Sequence, residues 1–201
     1  MNKKNIIGIP IKNFKNPMTR LSPILSVDKR IKLQKGLLLN IIKSFNIENN
    51  DLYLISQDIE IEELTIDLNI NYFKSKEIGL NKEIIEFSNC FKNYENWVIC
   101  HADLPYINRH IAKTIEAELN NIDILIARSK DSGTPLIAGK VYYSDFKFGA
   151  NSFIKHLEVF IERKISFNQL FLNETSFELD DEKDYELFKK NTPRWYKKFE
   201  L

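Results

Sequence analysis

The sequence predicts an α/β fold, a mostly parallel sheet flanked by helices, and three observations predict it. Short β-rich apolar runs alternate with longer amphipathic ones, the pattern of parallel strands joined by crossover helices. Several of the short runs, among them Ile6–Ile11 and Trp97–Cys100, are nearly all apolar, as strands covered on both faces must be. Three polar clusters follow strands, where open α/β sheets carry their ligand sites.

The first strand is expected over 6–11. A helix over 28–45 carries Ile31, Leu33, Leu37, Leu38, Ile41, Ile42 and Phe45 at helical spacing, with Ser26 or Asp28 as its N-cap. A strand over 52–56 precedes a short helix containing Ile59 and Leu64, and a weaker strand follows at 71–73. The helix expected over 81–91 turns Ile84, Ile85 and Phe87 inward. After the strand at 97–100, a helix over 107–119 leads to a strand at 123–127. Asp131–Pro135 is turn chemistry, and 136–143 reads as extended. A helix over 152–163, a strand over 167–170 and a helix over 180–190 complete the order. On this reading residues 1–190 are one domain and 191–201 a C-terminal tail, either docked or frayed.

Composition narrows the classes. Hydrophobic residues make up 43% and charged residues 28% of the 201, ordinary for a soluble globular chain. A formal net charge of +1 leaves no basic excess for nucleic-acid binding through many phosphate contacts. The two cysteines, Cys90 and Cys100, match no zinc spacing and read as buried fillers in a reducing, cytoplasmic setting. The apolar run 6–11, interrupted by Gly8 and Pro10, is too short for a signal peptide or a membrane span.

The first polar cluster, Pro10 to Leu21, puts Lys12, Lys15 and Arg20 in the loop after the first strand. A nucleoside triphosphate brings about four negative charges, and a site without a Gly-rich loop must balance them with such side chains. A solvated basic loop is the plainer alternative. The second cluster is His101-Ala102-Asp103-Leu104-Pro105. Asp103, just after a buried strand, suits Mg²⁺, which takes one or two carboxylates plus phosphates and water; capping of the next helix is its competing role. His101 reads as a polar neighbour, since a lone His makes a poor Mg²⁺ site. In the third cluster, Glu178-Leu179-Asp180-Asp181, Asp180 could add a second carboxylate if the last strand lies near the middle of the sheet; helix capping competes here as well. Asn81 could read a base edge or cap a helix. Gly149 to Ser152 precedes a helix whose N-terminus favours an anion.

The order of these motifs closely resembles the 2-phospho-L-lactate or phosphoenolpyruvate guanylyltransferase family of coenzyme F420 biosynthesis. Ile9-Pro10-Ile11-Lys12 and Thr19-Arg20-Leu21-Ser22-Pro23-Ile24-Leu25-Ser26 are similar to its opening elements, and Leu54-Ile55-Ser56-Gln57-Asp58 to its second strand. Gly79-Leu80-Asn81, Ala102-Asp103-Leu104-Pro105 and Leu179-Asp180 resemble later ones. Phe148-Gly149-x-x-Ser152-Phe153-x-x-His156 is the most discriminating.

The resemblance implies a Rossmann-like sheet of the nucleotidyltransferase (GT-A-like) architecture and a metal-dependent reaction of GTP with a small phosphorylated acid. It implies that Pro10, Lys12, Arg20, Ser56, Asp58, Gly79 and Asn81 bind the nucleotide, with Lys15 as the substitute for a phosphate contact missing at Met18. Gly133, Thr134, Gly149 and Ser152 would bind the acceptor, joined by Arg128 as a replacement contact where the chain departs from the family pattern, and Asp103 and Asp180 would hold Mg²⁺ (or Mn²⁺). Lys12, Arg20 and Asp103 would be catalytic. Family members often pair as homodimers; no membrane or nucleic-acid partner is implied. Three departures stand out: Met18 where a basic residue is usual, Pro135 where Asn is usual, and Arg128-Ser129 in place of Pro-Asp. They leave open a nucleotidyltransferase with another phosphorylated acceptor, or a non-catalytic nucleotide-binding protein.

Overall fold

The computed structural model describes residues 5–198. Residues 1–4 and 199–201, the end of the expected tail among them, lie outside the described residues. Seven strands form one sheet in the order β3-β2-β1-β4-β6-β5-β7. They are β1 (Asn5–Pro10), β2 (Asn50–Ser56), β3 (Asn71–Lys74), β4 (Asn96–Cys100), β5 (Ile124–Ala127), β6 (Leu136–Gly139) and β7 (Phe167–Leu170). All neighbours pair in parallel except β6, which runs antiparallel to both β4 and β5.

The longer helices are α1 (Val27–Phe45), α2 (Ile59–Leu68), α3 (Leu80–Cys90), α4 (Arg109–Glu118) and α5 (Ser152–Glu162), followed by the short α6 (Asn173–Ser176) and α7 (Glu182–Lys190). α1 and α4 pack with α2 over one face of the sheet, around Leu38, Ile41, Leu54, Ile61, Ile111 and Ile115. α3 and α5 cover the other, around Ile55, Phe87, Ile99, Tyr143 and Phe160. Central β1 is buried throughout its apolar run, as its composition requires. A Cβ at Gly8 would come within 2.8 Å of the Phe87 ring, so only glycine lets α3 approach there.

Several local expectations change. Ser26, not Asp28, caps α1, its hydroxyl accepting from the Lys29 amide. The extended stretch expected to reach Tyr143 leaves the sheet after Gly139, and Tyr143 turns into an aromatic cluster with Trp97, Phe146 and Phe160. Cys100 is buried but Cys90, on the last turn of α3, is exposed, so only one of the pair fills the core. β7 is an edge strand rather than a central one. The described part of the tail is docked: Tyr196 is buried beside Phe188, and the Trp195 indole donates to the Pro105 carbonyl at 2.8 Å. Among the described residues no helix is long and apolar enough to cross a membrane.

Candidate active site

A cavity of about 630 Å³ opens beyond the carboxyl ends of β1 and β4. Pro10, Lys12 and Met18 line one wall, Gln34 and Leu37 of α1 another, and Ile78, Gly79, Leu80 and Glu83 a third. His101, Ala102, Asp103, Leu179 and Asp180 form its floor. A second cavity of about 330 Å³ is lined by Arg128, Ser129, Lys130, Asp131, Gln169 and Asn173, with Glu178, Asp180 and Asp184 among its other walls. Asp180 faces both cavities.

At their junction the structure assembles an acidic cluster. One ligating atom each from His101, Asp103 and Glu178 lie within 4.8 Å of one another. The competing capping roles fall away. α4 starts only at Arg109, and Asn108 caps it by accepting from the His110 and Ile111 amides. Asp181, paired with Asp184 in a capping box, caps α7. Asp103 and Asp180 are therefore both free of capping.

Because β7 lies at the edge, Asp180 does not reach the site from a central strand. The segment after α6 crosses back instead, and Leu179 N–H donates to the Asp103 carbonyl at 2.9 Å. Leu179 is buried, so in this extended segment Glu178 and Asp180 both point away from it. Glu178 belongs to this cluster although the sequence singles out only Asp103 and Asp180 as metal candidates. The alternation Glu178-Leu179-Asp180 was the signal that could have found it.

Burial and the crowding of like charge set the electrostatics of the cluster. Burial and the neighbouring Glu178 carboxylate push the Asp103 carboxyl up to about 7, against the lowering effect of His101. Burial likewise raises Asp180, although the adjacent Arg20 guanidinium opposes it. Asp103 Oδ1 is buried with no hydrogen-bond partner, and so is His101 Nε2. His101 Nδ1 lies 3.4 Å from Glu178 Oε1. Oxygen donors crowded this closely, with Asp103 Oδ1 unpartnered, are of the kind a hard divalent ion takes.

The other expected residues divide. Pro10, Lys12 and Gly79 line the larger cavity, and Arg20 reaches it through an ion pair with Asp180. Lys15 is exposed and outside the lining, its amide held in a turn by Asn13 at 3.1 Å. Ser56 is buried, accepting from the Asp58 amide, and Asp58 takes the Asn13 side-chain amide. Asn81 is spent on the chain: Nδ2 donates to the Phe148 carbonyl at 2.9 Å, and Oδ1 accepts from the Phe148 amide at 2.7 Å. That clamp sets the Phe148 ring 5.2 Å from His101.

On the smaller cavity, Arg128 lines the wall and donates to Ser132 Oγ. Gly133 lies where a Cβ would meet Ser129 Oγ at 2.6 Å and Glu178 Oε2 at 3.6 Å. Thr134 and Ser152 sit behind the site, buried and 3.1 Å apart between their hydroxyls. Gly149, at φ 122, makes the turn into α5 and lines neither cavity. Gln34, Ile78, Leu80 and Glu83 were not foreseen as lining residues.

The chain matches the family described as guanylyl transferase CofC like over residues 5–191. It is 38% identical to 2-phospho-L-lactate guanylyltransferase of Methanosphaera stadtmanae, across 77% of this chain and 70% of that protein. Identity with the enzyme of the same name from Methanocaldococcus vulcanius is 35%, across 76% and 69%. Its fold is similar to a structure described as a nucleotide-diphospho-sugar transferase from Desulfovibrio desulfuricans, with a TM-score of 0.82, 17% identity and 96% and 89% coverage. It is also similar to a nucleotidyl transferase from Methanothermobacter, with a TM-score of 0.65, 10% identity and 98% and 100% coverage. The mostly parallel sheet, the matched length and the relatives agree, and the chain belongs to the CofC-like guanylyl transferase family.

Proposed function

We propose that this chain transfers GMP from GTP to a small phosphorylated acid (2-phospho-L-lactate, phosphoenolpyruvate or 3-phosphoglycerate), releasing pyrophosphate, as a step of coenzyme F420 biosynthesis. The observation that carries the reading is the pair of cavities meeting at Asp180, beside an acidic cluster in which the buried Asp103 Oδ1 has no hydrogen-bond partner. The larger suits a nucleoside triphosphate and the smaller a compact acid.

An oxygen of the acceptor phosphate attacks the α-phosphorus of GTP. The new P–O bond forms as the bond from the α-phosphorus to the bridging oxygen breaks, and pyrophosphate leaves with that electron pair. A phosphate monoester is already largely ionised near neutral pH, its second pKa being about 6, so no general base is required. Positioning and charge compensation are what the reaction needs.

Lys12 and Arg20 compensate the triphosphate. Arg20 must first leave Asp180, and that exposed pair is worth only about 0–1 kcal/mol. Asp103, Glu178 and Asp180 would hold Mg²⁺ (or Mn²⁺), which neutralises phosphate charge when bound. Arg128 is placed for the acceptor's carboxylate or phosphate.

The test is pyrophosphate release from GTP and Mg²⁺ with each acid offered separately. Release dependent on one acid names the acceptor. Release with none of them, from a folded chain that binds GTP, overturns the acceptor class. Loss of release in EDTA, restored by Mg²⁺ or Mn²⁺, is the expected metal dependence.

A further inference from the structure

Arg30, in the first turns of α1, is a cation that the fold buries with no anionic partner among the described residues. It is only 6% exposed. Nη1 donates to the carbonyl of Pro17, and Nε is buried with no hydrogen-bond partner. Among the described residues no carboxylate comes within ion-pair distance of it. A guanidinium removed from water needs a counter-charge, and one acceptor carbonyl does not supply it.

Its surroundings identify where that charge arrives. Pro17 immediately precedes Met18, which lines the larger cavity. Met18 sits in the left-handed region at φ 48 and ψ 50, a conformation that a non-glycine residue holds only when its neighbours impose it. The Arg30 contact fixes the carbonyl just before that residue, while Leu21 N–H fixes the Met18 carbonyl at 2.9 Å. One turn further along α1, Gln34 lines the same cavity and carries a buried Oε1 with no partner. Leu37 continues the same face. The Arg30–Gln34–Leu37 face of α1 therefore backs the cavity, with the unpaired charge behind the loop that Lys12 begins.

We infer that Arg30 is a positioning residue for the donor nucleotide: its buried charge is balanced by the phosphate tail of the bound triphosphate, and it holds the 12–18 loop in the shape that receives that tail. A charge in a poorly screened interior acts over a longer distance than the exposed Lys12 and Arg20 do. Direct contact is not required for the effect. The inference rests on the reading of the larger cavity as a GTP site.

Calorimetric titration with GTP, inorganic tripolyphosphate and guanosine, each with Mg²⁺, tests it on the intact chain and on R30Q and R30K. R30Q is expected to weaken GTP and tripolyphosphate by about tenfold or more, and guanosine by less than about twofold. R30K, which keeps the charge, is expected to stay within about threefold of the parent for both phosphates. A role in packing alone would weaken all three ligands together or none of them. R30Q binding GTP as tightly as the parent overturns the inference and leaves the site assignment standing. If R30Q does not fold, R30K decides: a folded R30K that loses GTP as strongly as about tenfold shows that charge is not what counts. A parent chain that binds neither GTP nor tripolyphosphate overturns the GTP-site reading and this inference together.

Discussion

Leu179 donates its backbone N–H to the carbonyl of Asp103 at 2.9 Å, and that bond brings a segment from beyond the sheet's edge to the end of a central strand. It sets Glu178 and Asp180 on either side of a buried leucine, next to the one carboxylate that β4 delivers directly. Like charges are gathered there at a cost to the fold, which a metal site accepts and a purely structural cluster avoids.

Asp103→Asn keeps the shape of the side chain and removes one of these charges. Pyrophosphate release is expected to fall by on the order of 10³-fold, while the melting temperature in the absence of nucleotide holds or rises. Near-normal turnover in the variant would overturn the proposed role of Asp103 in holding a metal ion.

The pH dependence of stability should carry the signature of His156. Burial pushes its imidazole down to about 4. The Lys147 amide donates to Nε2 at 2.9 Å, so Nδ1 bears the proton and faces Thr134 Oγ1 at 3.1 Å. An unfolded chain takes up the proton near 6.5. Between these values the unfolded state binds more protons, so stability falls as pH falls, by up to about 1.4 kcal/mol per pH unit from this group. Denaturant unfolding at pH 5 and pH 7 checks it. The difference between the two should shrink in His156→Gln, and an equal difference in both proteins would clear His156 of the effect.

The sheet was legible because its strands are apolar on both faces and its helices periodic, signals that local sequence carries. The place of Asp103 on the cavity was legible for the same reason: it stands directly after such a strand. Glu178 was not, since its partners lie far along the chain and only the return of the chain from β7 joins them. Ser152 and His156 belong to the motif on which the resemblance leans most, yet the structure buries both behind the site, where they brace Thr134 and the turn at Lys147. A motif can report the frame of a site as readily as its surface.

Asp184 joins the frame to the acidic segment. Its carboxylate, 2% exposed, accepts from the amides of Asp180 and Asp181 at 3.3 and 3.2 Å and from Lys130 at 2.5 Å. Asp184→Ala loses the capping box and leaves those donors short of a partner, for a cost of about 1–3 kcal/mol by urea unfolding. Activity should fall too, by less than in Asp103→Asn, because Asp180 loses the anchor of its own backbone. A variant as stable as the parent would show that water satisfies these amides equally well.

Arg128 separates the two cavities experimentally. It lines the smaller one, is held by Ser132 Oγ at 2.9 Å and lies 5.5 Å from the centre of the Phe153 ring, with no carboxylate paired to it among the described residues. Arg128→Met keeps the stem against Phe153 and removes the charge. If the acceptor's anionic group binds there, KM for the acceptor should rise by about tenfold or more, while Kd for GTP measured without acceptor stays unchanged. A rise in the GTP Kd alone would place Arg128 on the donor instead. An unchanged acceptor KM would move the acceptor out of this cavity and leave its recognition to the Gly133 turn.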